Sequence, residues 1–185
     1  MTHLSHMEPD ALQTVAFNRA MAEHADGLTT FASRMLGDTL MAEDVAQDAF
    51  LALFRHLHQV PENAIRPWLY RVTRNLCLDI LRRRKFKLRL FRDISRDDEF
   101  ELNPEDIKSN RPEDHAQSRE AREAIEAAIQ GLPQKFREAF LLCEVQGLSY
   151  EEAAAIMGCP VKTVSTRLFR ARHRFRAAVA SIIEV

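Results

Sequence analysis

The chain has 185 residues, of which 46% are apolar and 29% are charged, and its formal net charge is −1 at pH 7. This composition is typical of a globular protein with one medium domain or two small ones. No apolar run approaches the ~18 residues that cross a bilayer, and no signal-peptide segment is found at the N-terminus. We therefore expect a cytoplasmic protein without membrane insertion.

The cysteines are widely spaced and form no Cys-x-x-Cys pair: Cys77, Cys143 and Cys159. They are expected to be small buried hydrophobic residues in a reducing compartment, rather than redox or metal-binding groups. His3 and His6 lie close together, but no cysteine or carboxylate cluster completes a zinc site with them. The sequence thus predicts no metal and no other cofactor, and residues 1–9 are interpreted as a disordered arm.

Helical periodicity dominates the chain, because glycine and proline are scarce and no window shows sustained strand alternation. The predicted fold class is therefore all-α. A first helix is predicted from Asp10 to Ala25 and a second from Leu28 to Leu36, closed by Gly37. The residues expected to face inward from the first helix are Leu12, Ala16, Phe17 and Met21.

A third helix is predicted from Met41 to His58. Four apolar residues at helical spacing predict its buried face: Val45, Ala49, Leu53 and Leu57. Acidic and amide side chains cluster near its start: Glu43, Asp44, Gln47 and Asp48. These side chains either favour the positive end of the helix dipole or form an acidic docking surface for a basic partner.

After a loop over residues 59–66, Pro67 is predicted to open a long helix that ends near Lys85. Its core stripe is expected to consist of Leu69, Val72, Leu76 and Ile80. The opposite side carries basic and polar residues: Arg71, Arg74, Asn75 and Arg82. With Trp68 and Tyr70 at the flanks, this side suits a surface that holds single-stranded DNA by stacking and phosphate contacts. For these two aromatic residues, packing in the core explains the pattern equally well.

Charge is organised in blocks that the net charge hides. Residues 82–92 carry seven basic side chains and no acidic one, whereas residues 93–114 carry nine acidic and three basic side chains. The segment 91–111 has few regularly spaced apolar residues, so it is predicted to be a flexible acidic linker. It would join an N-terminal helical domain, residues 10–90, to a C-terminal helical domain, residues 112–185.

The C-terminal domain is predicted to contain four helices, of which the first two are separated by the turn at residues 131–133. Their inward faces are expected to carry Ala121, Ile125, Ala128, Ile129, Phe136, Phe140 and Leu141. The last two helices are separated by only three residues. Ser149 is placed as the N-cap of the third helix, Gly158 ends it, and Pro160 precedes the fourth.

The fourth helix of this domain has an apolar stripe and a basic side. The predicted stripe consists of Val161, Val164, Leu168, Ala171, Phe175 and Val179. Residues 162–176 carry six lysine or arginine side chains and no acidic one. Phe169 lies among the polar residues, where a thymine methyl group would accommodate it. We interpret these two helices as a helix-turn-helix whose second helix enters a DNA major groove.

These motifs resemble the sigma-70 family of bacterial transcription initiation factors. DVAQDAF at 44–50, RPWLYRVTRN at 66–75 and the arginine triple at 82–84 resemble region 2 of that family. Residues 132–140, GLSYEEAA at 147–154 and the basic helix resemble region 4. Two such domains with a short linker, and with neither an N-terminal inhibitory region nor a folded middle domain, resemble the extracytoplasmic-function (ECF, group IV) subfamily.

The resemblance implies a protein that is not an enzyme but gives promoter specificity to core RNA polymerase. It implies that Asp44, Gln47 and Asp48 bind the coiled coil of the polymerase β′ clamp. The residues implied to hold the melted −10 element are Asn63, Arg71, Arg74, Asn75, Arg82, Arg83 and Arg84. Those implied to contact the −35 element are Lys162, Thr163, Ser165, Thr166, Arg167, Phe169, Arg170 and Arg174.

The resemblance also implies the remaining partners, which are the polymerase β flap and an anti-sigma factor that holds the protein inactive. The protein would accompany the nucleoid when it is part of the holoenzyme. A dimeric helix-turn-helix regulator is the first alternative, but it needs a ligand, receiver or dimerisation domain in the N-terminal half. An enzyme is the second alternative, and no carboxylate pair, nucleophile–base set or phosphate-binding glycine loop supports it.

Overall fold

The computed structural model describes residues 9–94 and 116–183. Within these ranges the chain is helical and forms no strand, which confirms the all-α fold class. The helices are α1 (Pro9–Leu36), α2 (Thr39–His56), α3 (Ile65–Ile94), α4 (Ala116–Gln130), α5 (Gln134–Phe140), α6 (Tyr150–Met157) and α7 (Val161–Ile183). The first domain comprises α1 to α3, and the second domain comprises α4 to α7.

The first two predicted helices are a single helix, α1, which passes through Gly27 without a break. Glycine inside a helix costs roughly 1 kcal/mol relative to alanine. Here it permits a close approach, because a Cβ atom at Gly27 would lie 2.6 Å from the Tyr70 hydroxyl oxygen. The inward face of α1 is also shifted from the prediction: Ala20 is buried, whereas Met21 is 39% exposed.

α2 follows the predicted helical phase. Asp38 is its N-cap, and the Asp38 carboxylate accepts a hydrogen bond of 3.1 Å from the backbone N–H of Met41. The four predicted core residues are all buried: Val45, Ala49, Leu53 and Leu57. Their burial turns the opposite side of α2 towards solvent.

α3 is longer than predicted at both ends. It begins at Ile65, two residues before Pro67, which occupies the first turn, where its missing N–H is not needed. It continues past Lys85 to Ile94, so the first residues of the predicted linker are helical. The rest of that segment, residues 95–111, and the first eight residues of the predicted arm lie outside the described residues.

The second domain contains the four predicted helices, and α5 continues into a π-helical turn at Leu141–Val145 that periodicity did not predict. Ser149 caps α6 in a complete capping box with Glu152, at hydrogen-bond distances of 3.1 and 2.8 Å. Gly158 ends α6 in the left-handed region at φ +62°. The helix-turn-helix therefore has the local structure that was predicted.

Some of the predicted inward positions in the second domain are wrong. Val161 and Ile125 are each 40% exposed, and Ala121 is exposed as well. Ala124 is buried in α4, and the buried stripe of α7 begins at Val164. In α4 the buried face is rotated from the predicted one, since Ala124 rather than Ile125 is buried, whereas in α7 the stripe is shortened because the first turn, with Val161, extends beyond the core.

The two domains contact each other, and their buried apolar side chains form one continuous cluster. α1 and α3 of the first domain pack against α4, α5 and α6 of the second. This packing makes Tyr70 a core residue, only 3% exposed, and leaves Trp68 half-buried. None of the helices in the described ranges is both long and apolar enough to cross a bilayer.

Candidate nucleic-acid interfaces

α7 presents a polar and basic face to solvent over its first three turns. The exposed residues on this face are Lys162, Ser165, Thr166, Phe169 and Arg170, at steps of three or four. Phe169 is 71% exposed, an unusual position for a large apolar side chain. The opposite face holds α7 in place, because Val164, Leu168 and Ala171 are fully buried.

The arginines of α7 differ in their surroundings. Arg170 is exposed on the outer face, whereas Arg167 is half-buried and its Nη1 lies 3.8 Å from the Sγ atom of Cys159. The Arg172 guanidinium donates two hydrogen bonds to Glu144 Oε1, at 2.5 and 3.1 Å, so it is bound to a residue of its own domain. Arg174 lies 5.6 Å from the centroid of the Phe136 ring, a cation–π geometry.

Two threonines of the predicted −35 set have side chains that are held close to the helix. The Thr166 hydroxyl donates to the Lys162 carbonyl oxygen at 2.9 Å, and Thr163 is half-buried beside the turn. The structure thus brings the predicted −35 residues together on one helix, with Phe169 and Arg170 projecting from it.

A pocket of about 460 Å³ opens on the first domain, where the α2–α3 connection meets α3. Its lining is formed by His56, Gln59, Val60, Pro61, Ala64, Trp68 and Arg71. This volume falls within the roughly 300–1,000 Å³ of small-ligand sites, so an unstacked nucleobase fits it. The Trp68 and His56 ring centroids lie 6.3 Å apart. An aromatic wall with Arg71 at its edge is suited to base stacking and phosphate contact.

The pocket only partly matches the residues predicted for the −10 element. Arg71 lines it, whereas Asn63 is exposed in the neighbouring 3₁₀ turn, Glu62–Ala64, and is not part of the lining. Sequence reasoning did not identify His56 or Gln59. The available signal was that Gln59 begins the predicted loop and His56 precedes it by three residues, since binding residues are often carried by loops on a rigid scaffold.

The remaining predicted −10 residues follow along α3. Asn75 is exposed and accepts a hydrogen bond of 3.2 Å from Arg74 Nη1, while Arg74 itself forms an ion pair with Glu138 of the second domain. Arg82 pairs with Asp79 at 2.8 Å on the exposed surface, and Arg83 is exposed.

The third arginine of the triple is part of the first domain's own structure. Arg84 donates to Asp38 Oδ2 at 3.0 Å and to the Leu36 carbonyl oxygen at 3.1 Å. It therefore holds the α1–α2 turn against α3.

The acidic side of α2 forms a continuous exposed surface with apolar residues beside it. Asp44, Gln47 and Asp48 are exposed one helical turn apart. Leu51 and Phe54 extend this surface and are 52% and 50% exposed. An exposed apolar patch with polar side chains beside it is typical of a protein-binding surface. The acidic side chains lie beyond the first turn of α2, so an interaction with the helix dipole does not account for them all.

The cysteines are free, and no group of three His, Cys, Asp or Glu side chains in residues 9–94 and 116–183 is arranged to hold a metal ion. Burial raises the pKa of the Cys77 thiol to about 12. Burial, followed by the nearby Glu144 carboxylate, raises the pKa of Cys143 to about 11. Both thiols are therefore protonated at neutral pH.

Iodoacetamide at pH 8 is expected to alkylate Cys77 in the folded chain about a thousandfold more slowly than a free cysteine, because the thiolate is the reacting form. Guanidinium chloride should abolish the protection. The pKa of Cys143, about 11, is lower than that of Cys77, about 12, so Cys143 should become reactive at a lower pH than Cys77. Mass spectrometry of a labelling time course measures both effects, and rapid native labelling of Cys77 would contradict them.

Comparisons with known proteins match both domains. Residues 20–87 match the family model "Sigma-70 region 2", and residues 122–175 match "Sigma-70, region 4". The chain is 34% identical over 174 residues to the ECF RNA polymerase sigma-E factor of Escherichia coli K12, covering 91% of this chain and 88% of that protein. It is 32% identical over 170 residues to the RNA polymerase sigma-H factor of Pseudomonas aeruginosa, with the same coverage.

A further relative is longer than this chain. The ECF RNA polymerase sigma factor SigE of Mycolicibacterium smegmatis is 34% identical over 167 residues, which cover 89% of this chain but 62% of that protein. Two solved structures share the fold. They are the sigma factor RpoE in complex with the anti-sigma factor NepR from Bartonella quintana (TM-score 0.68, 24% identity, 89% and 96% of the two chains) and CnrH in complex with the cytosolic domain of CnrY (TM-score 0.64, 23% identity, 92% and 96%).

Proposed function

Because the chain belongs to the sigma-70 family and within it to the ECF sigma factors, we propose that its two domains bind separate promoter elements while core RNA polymerase carries out the chemistry. The first domain would hold the melted −10 strand, and the second would bind the −35 duplex. The observation that carries this proposal is the presence of two unlike surfaces, an aromatic pocket on the first domain and a basic recognition helix on the second. The site of action is the cytoplasm, where promoter DNA and polymerase are found.

The pocket of the first domain supports capture of an extruded −10 base. Trp68 supplies a π-face, and Arg71 supplies a cation at the rim. Asn75 and Arg83 are exposed farther along α3, on the path that the strand would follow. A flipped base is commonly read by stacking and by hydrogen bonds to its edge. Gln59 and His56 provide polar groups for such bonds.

The outer face of α7 supports readout of the −35 element. Arg170 and Ser165 would face base edges, Phe169 would contact a thymine methyl group, and Lys162 would contact the backbone. Arg172 is excluded from this role, since Glu144 occupies its guanidinium.

The acidic surface of α2 supports attachment to the polymerase through Asp44, Gln47 and Asp48, with Leu51 and Phe54 as the apolar part of the contact. We assign this surface to the β′ clamp coiled coil and the second domain to the β flap. Run-off transcription with purified core polymerase on genomic fragments tests the whole proposal. Start sites that depend on this protein are expected, and the same start sites in its absence would refute it.

Trp68→Leu is expected to weaken capture of the −10 strand about fivefold, roughly 1 kcal/mol, because leucine keeps apolar volume but removes the stacking face. The measurement is the rate of promoter opening by the holoenzyme, followed by a fluorescent base in the −10 element. Trp68→Phe, which keeps a π-face, is the matched control. Equal opening rates for wild type and Trp68→Leu would remove Trp68 from the strand contact.

Control by an anti-sigma factor is the regulatory part of the proposal. One of the two solved structures that share this fold is the sigma factor RpoE of Bartonella quintana in complex with the anti-sigma factor NepR. A protein that covers the pocket and the α2 surface together would block both attachment and strand capture. Co-purification from the native host, followed by addition of the captured protein to the run-off reaction, is expected to abolish initiation. Undiminished initiation would exclude that protein as the inhibitor.

A further inference from the structure

The C-terminal end of α3 is exposed on every side. Arg84 is half-buried, and the residues that follow it are exposed: Lys85, Phe86, Lys87, Leu88 and Arg89. Phe86 is 65% exposed, almost as much as Phe169 on α7. Single apolar side chains are common on protein surfaces, so the residues around Phe86 decide whether it belongs to a binding site.

Phe86 continues the side of α3 that begins at the pocket of the first domain. Steps of three and four residues keep side chains on one side of a helix. From Trp68 in the pocket, such steps lead to a succession of exposed residues: Arg71, Asn75, Asp79, Arg82, Phe86 and Arg89. We call these residues, together with Trp68, the α3 row. An aromatic side chain therefore lies near each end of the α3 row, and charged or amide side chains lie between the two.

The α3 row is suited to an anionic chain. Its acidic residue, Asp79, is paired with Arg82 at 2.8 Å, so the row itself compensates that negative charge. Both side chains are exposed, and pairs of this kind are weak, so Arg82 can exchange Asp79 for a phosphate. Arg71 and Arg89 add positive charge on either side, and residues 82–92 carry seven basic side chains and no acidic one. This charge favours a polyanion as the partner.

The apolar residues at this end of α3 do not form a lipid-binding face. Successive residues rotate by about 100° around a helix, so Phe86 and Leu88 point about 160° apart. A helix that lies on a membrane instead gathers its apolar residues on one side. Phe86 is surrounded at steps of three and four residues by the exposed cations Arg82, Arg83 and Arg89. An aromatic ring among cations holds a nucleic-acid single strand by base stacking and phosphate contacts.

We propose that Phe86 is a second base-stacking residue, and that the single-stranded DNA captured by the pocket continues along the α3 row to Phe86 and Arg89. The residues implied by the family for the −10 element end at Arg84, so these two residues extend that set. Stacking on Phe86 requires no particular sequence, because every base has a π-face. This inference rests on the proposed function, in which the pocket takes a base of the same strand.

The length of the α3 row sets the length of strand that it holds. Trp68 and Phe86 are 18 positions apart in one continuous helix, which corresponds to about 27 Å. About eight nucleotides at the spacing of stacked bases cover this distance. A strand that reaches both aromatic residues binds the second one intramolecularly, so its affinity should exceed that of a strand too short to reach both.

The test measures binding of labelled single strands of thymidine nucleotides to the full-length chain at low salt, by fluorescence anisotropy. A strand of about twelve nucleotides spans the α3 row, whereas one of about four reaches a single aromatic residue. Wild type should bind the longer strand about tenfold more tightly than the shorter one. Phe86→Leu keeps apolar volume but removes the π-face. It should bind the longer strand about tenfold more weakly than wild type and change the affinity for the shorter one by about twofold at most.

Three further variants separate stacking from charge and from apolar area. Phe86→Trp keeps a π-face and should bind the longer strand like wild type. Leu88→Ala is the matched control, because it removes an exposed apolar side chain from the other side of the same turn, and it should also bind like wild type. Arg89→Gln should reduce the slope of the logarithm of Kd against the logarithm of salt concentration by about 0.7, the value for one phosphate contact on a single strand. Circular dichroism shows that the variants are folded.

Equal binding of the longer strand by wild type and Phe86→Leu would overturn stacking on Phe86, as would an equal loss for Leu88→Ala. Tighter binding of a uridine strand of the same length would assign the α3 row to RNA and overturn the choice of DNA. A wild-type chain that binds neither strand would show that the α3 row is not a nucleic-acid surface. Failure of the proposed function has a separate readout, since wild-type protein would then not direct run-off transcription, whatever the single strands show.

Discussion

Replacing Asp48 with arginine is expected to abolish stable association with core RNA polymerase and to leave the thermal melting temperature unchanged. Asp48 is exposed on α2, beside Asp44 and Gln47, so reversing the charge of its side chain removes no packing inside the domain. A positive charge at this position would face the basic coiled-coil surface that we assign to the acidic side of α2. Like charges placed in contact at an interface cost several kcal/mol, enough to reduce a tight complex to a transient one.

The measurement for Asp48→Arg is gel filtration of the reconstituted holoenzyme, supported by fluorescence anisotropy of the labelled chain titrated with core polymerase. Glu23→Arg makes the same change of charge at an exposed acid on α1, and it should bind like wild type. If Asp48→Arg still co-elutes with the polymerase in full amount, the α2 surface is not the attachment site. If the Glu23 variant fails equally, the effect reflects net charge rather than a defined contact.

Arg170→Ala is expected to weaken binding to promoters that carry the preferred −35 element by roughly 1–3 kcal/mol and to relax base choice at one position. Arg170 is exposed on the outer face of α7, and it takes part in no ion pair with the residues that the structure describes, 9–94 and 116–183. Arginine reads guanine through two parallel hydrogen bonds, and alanine cannot replace them. The expected loss is thus specific to the base, unlike the loss of a phosphate contact.

The measurement for Arg170→Ala is competitive binding of the holoenzyme to a library of duplexes in which each −35 position is varied. Arg172→Ala is the matched control. It also replaces an arginine of α7, only two residues from Arg170, but the Arg172 side chain is already bound to Glu144. It should leave promoter choice unchanged and cost at most about 1 kcal/mol of stability. An equal loss for Arg170→Ala on every duplex would make Arg170 a phosphate contact.

Features encoded within a few neighbouring residues could be predicted from the sequence. The capping box of Ser149 and Glu152, the left-handed Gly158 and the buried stripe of α2 all depend on contacts within one or two helical turns. The same reasoning predicted the exposed side of α7, because a basic helix with a buried stripe has only one orientation against a core. These local signals, together with the motifs in their order along the chain, were sufficient for the family.

Features that depend on long-range packing could not be predicted in this way. The sequence around Gly27 does not show whether this glycine ends a helix or leaves room for another side chain. Only the position of the Tyr70 hydroxyl group in the fold distinguishes the two. Helical phase turned Arg74 away from the first domain's core, but it carried no information on what would cover that side. The pocket likewise needs His56 and Trp68, which lie on different helices.

The sequence by itself therefore determined the all-α class, the caps of α6, the family, and the exposed polar faces of α2 and α7. Only the tertiary structure decided which basic residues are available to DNA, which of them hold the protein together, and that the two domains contact each other. The physical reason is the distance along the chain over which each interaction acts. Capping and periodicity act within about four residues. The ion pair of Arg74 with Glu138 joins residues that are 64 positions apart, so it depends on the position of every helix between them.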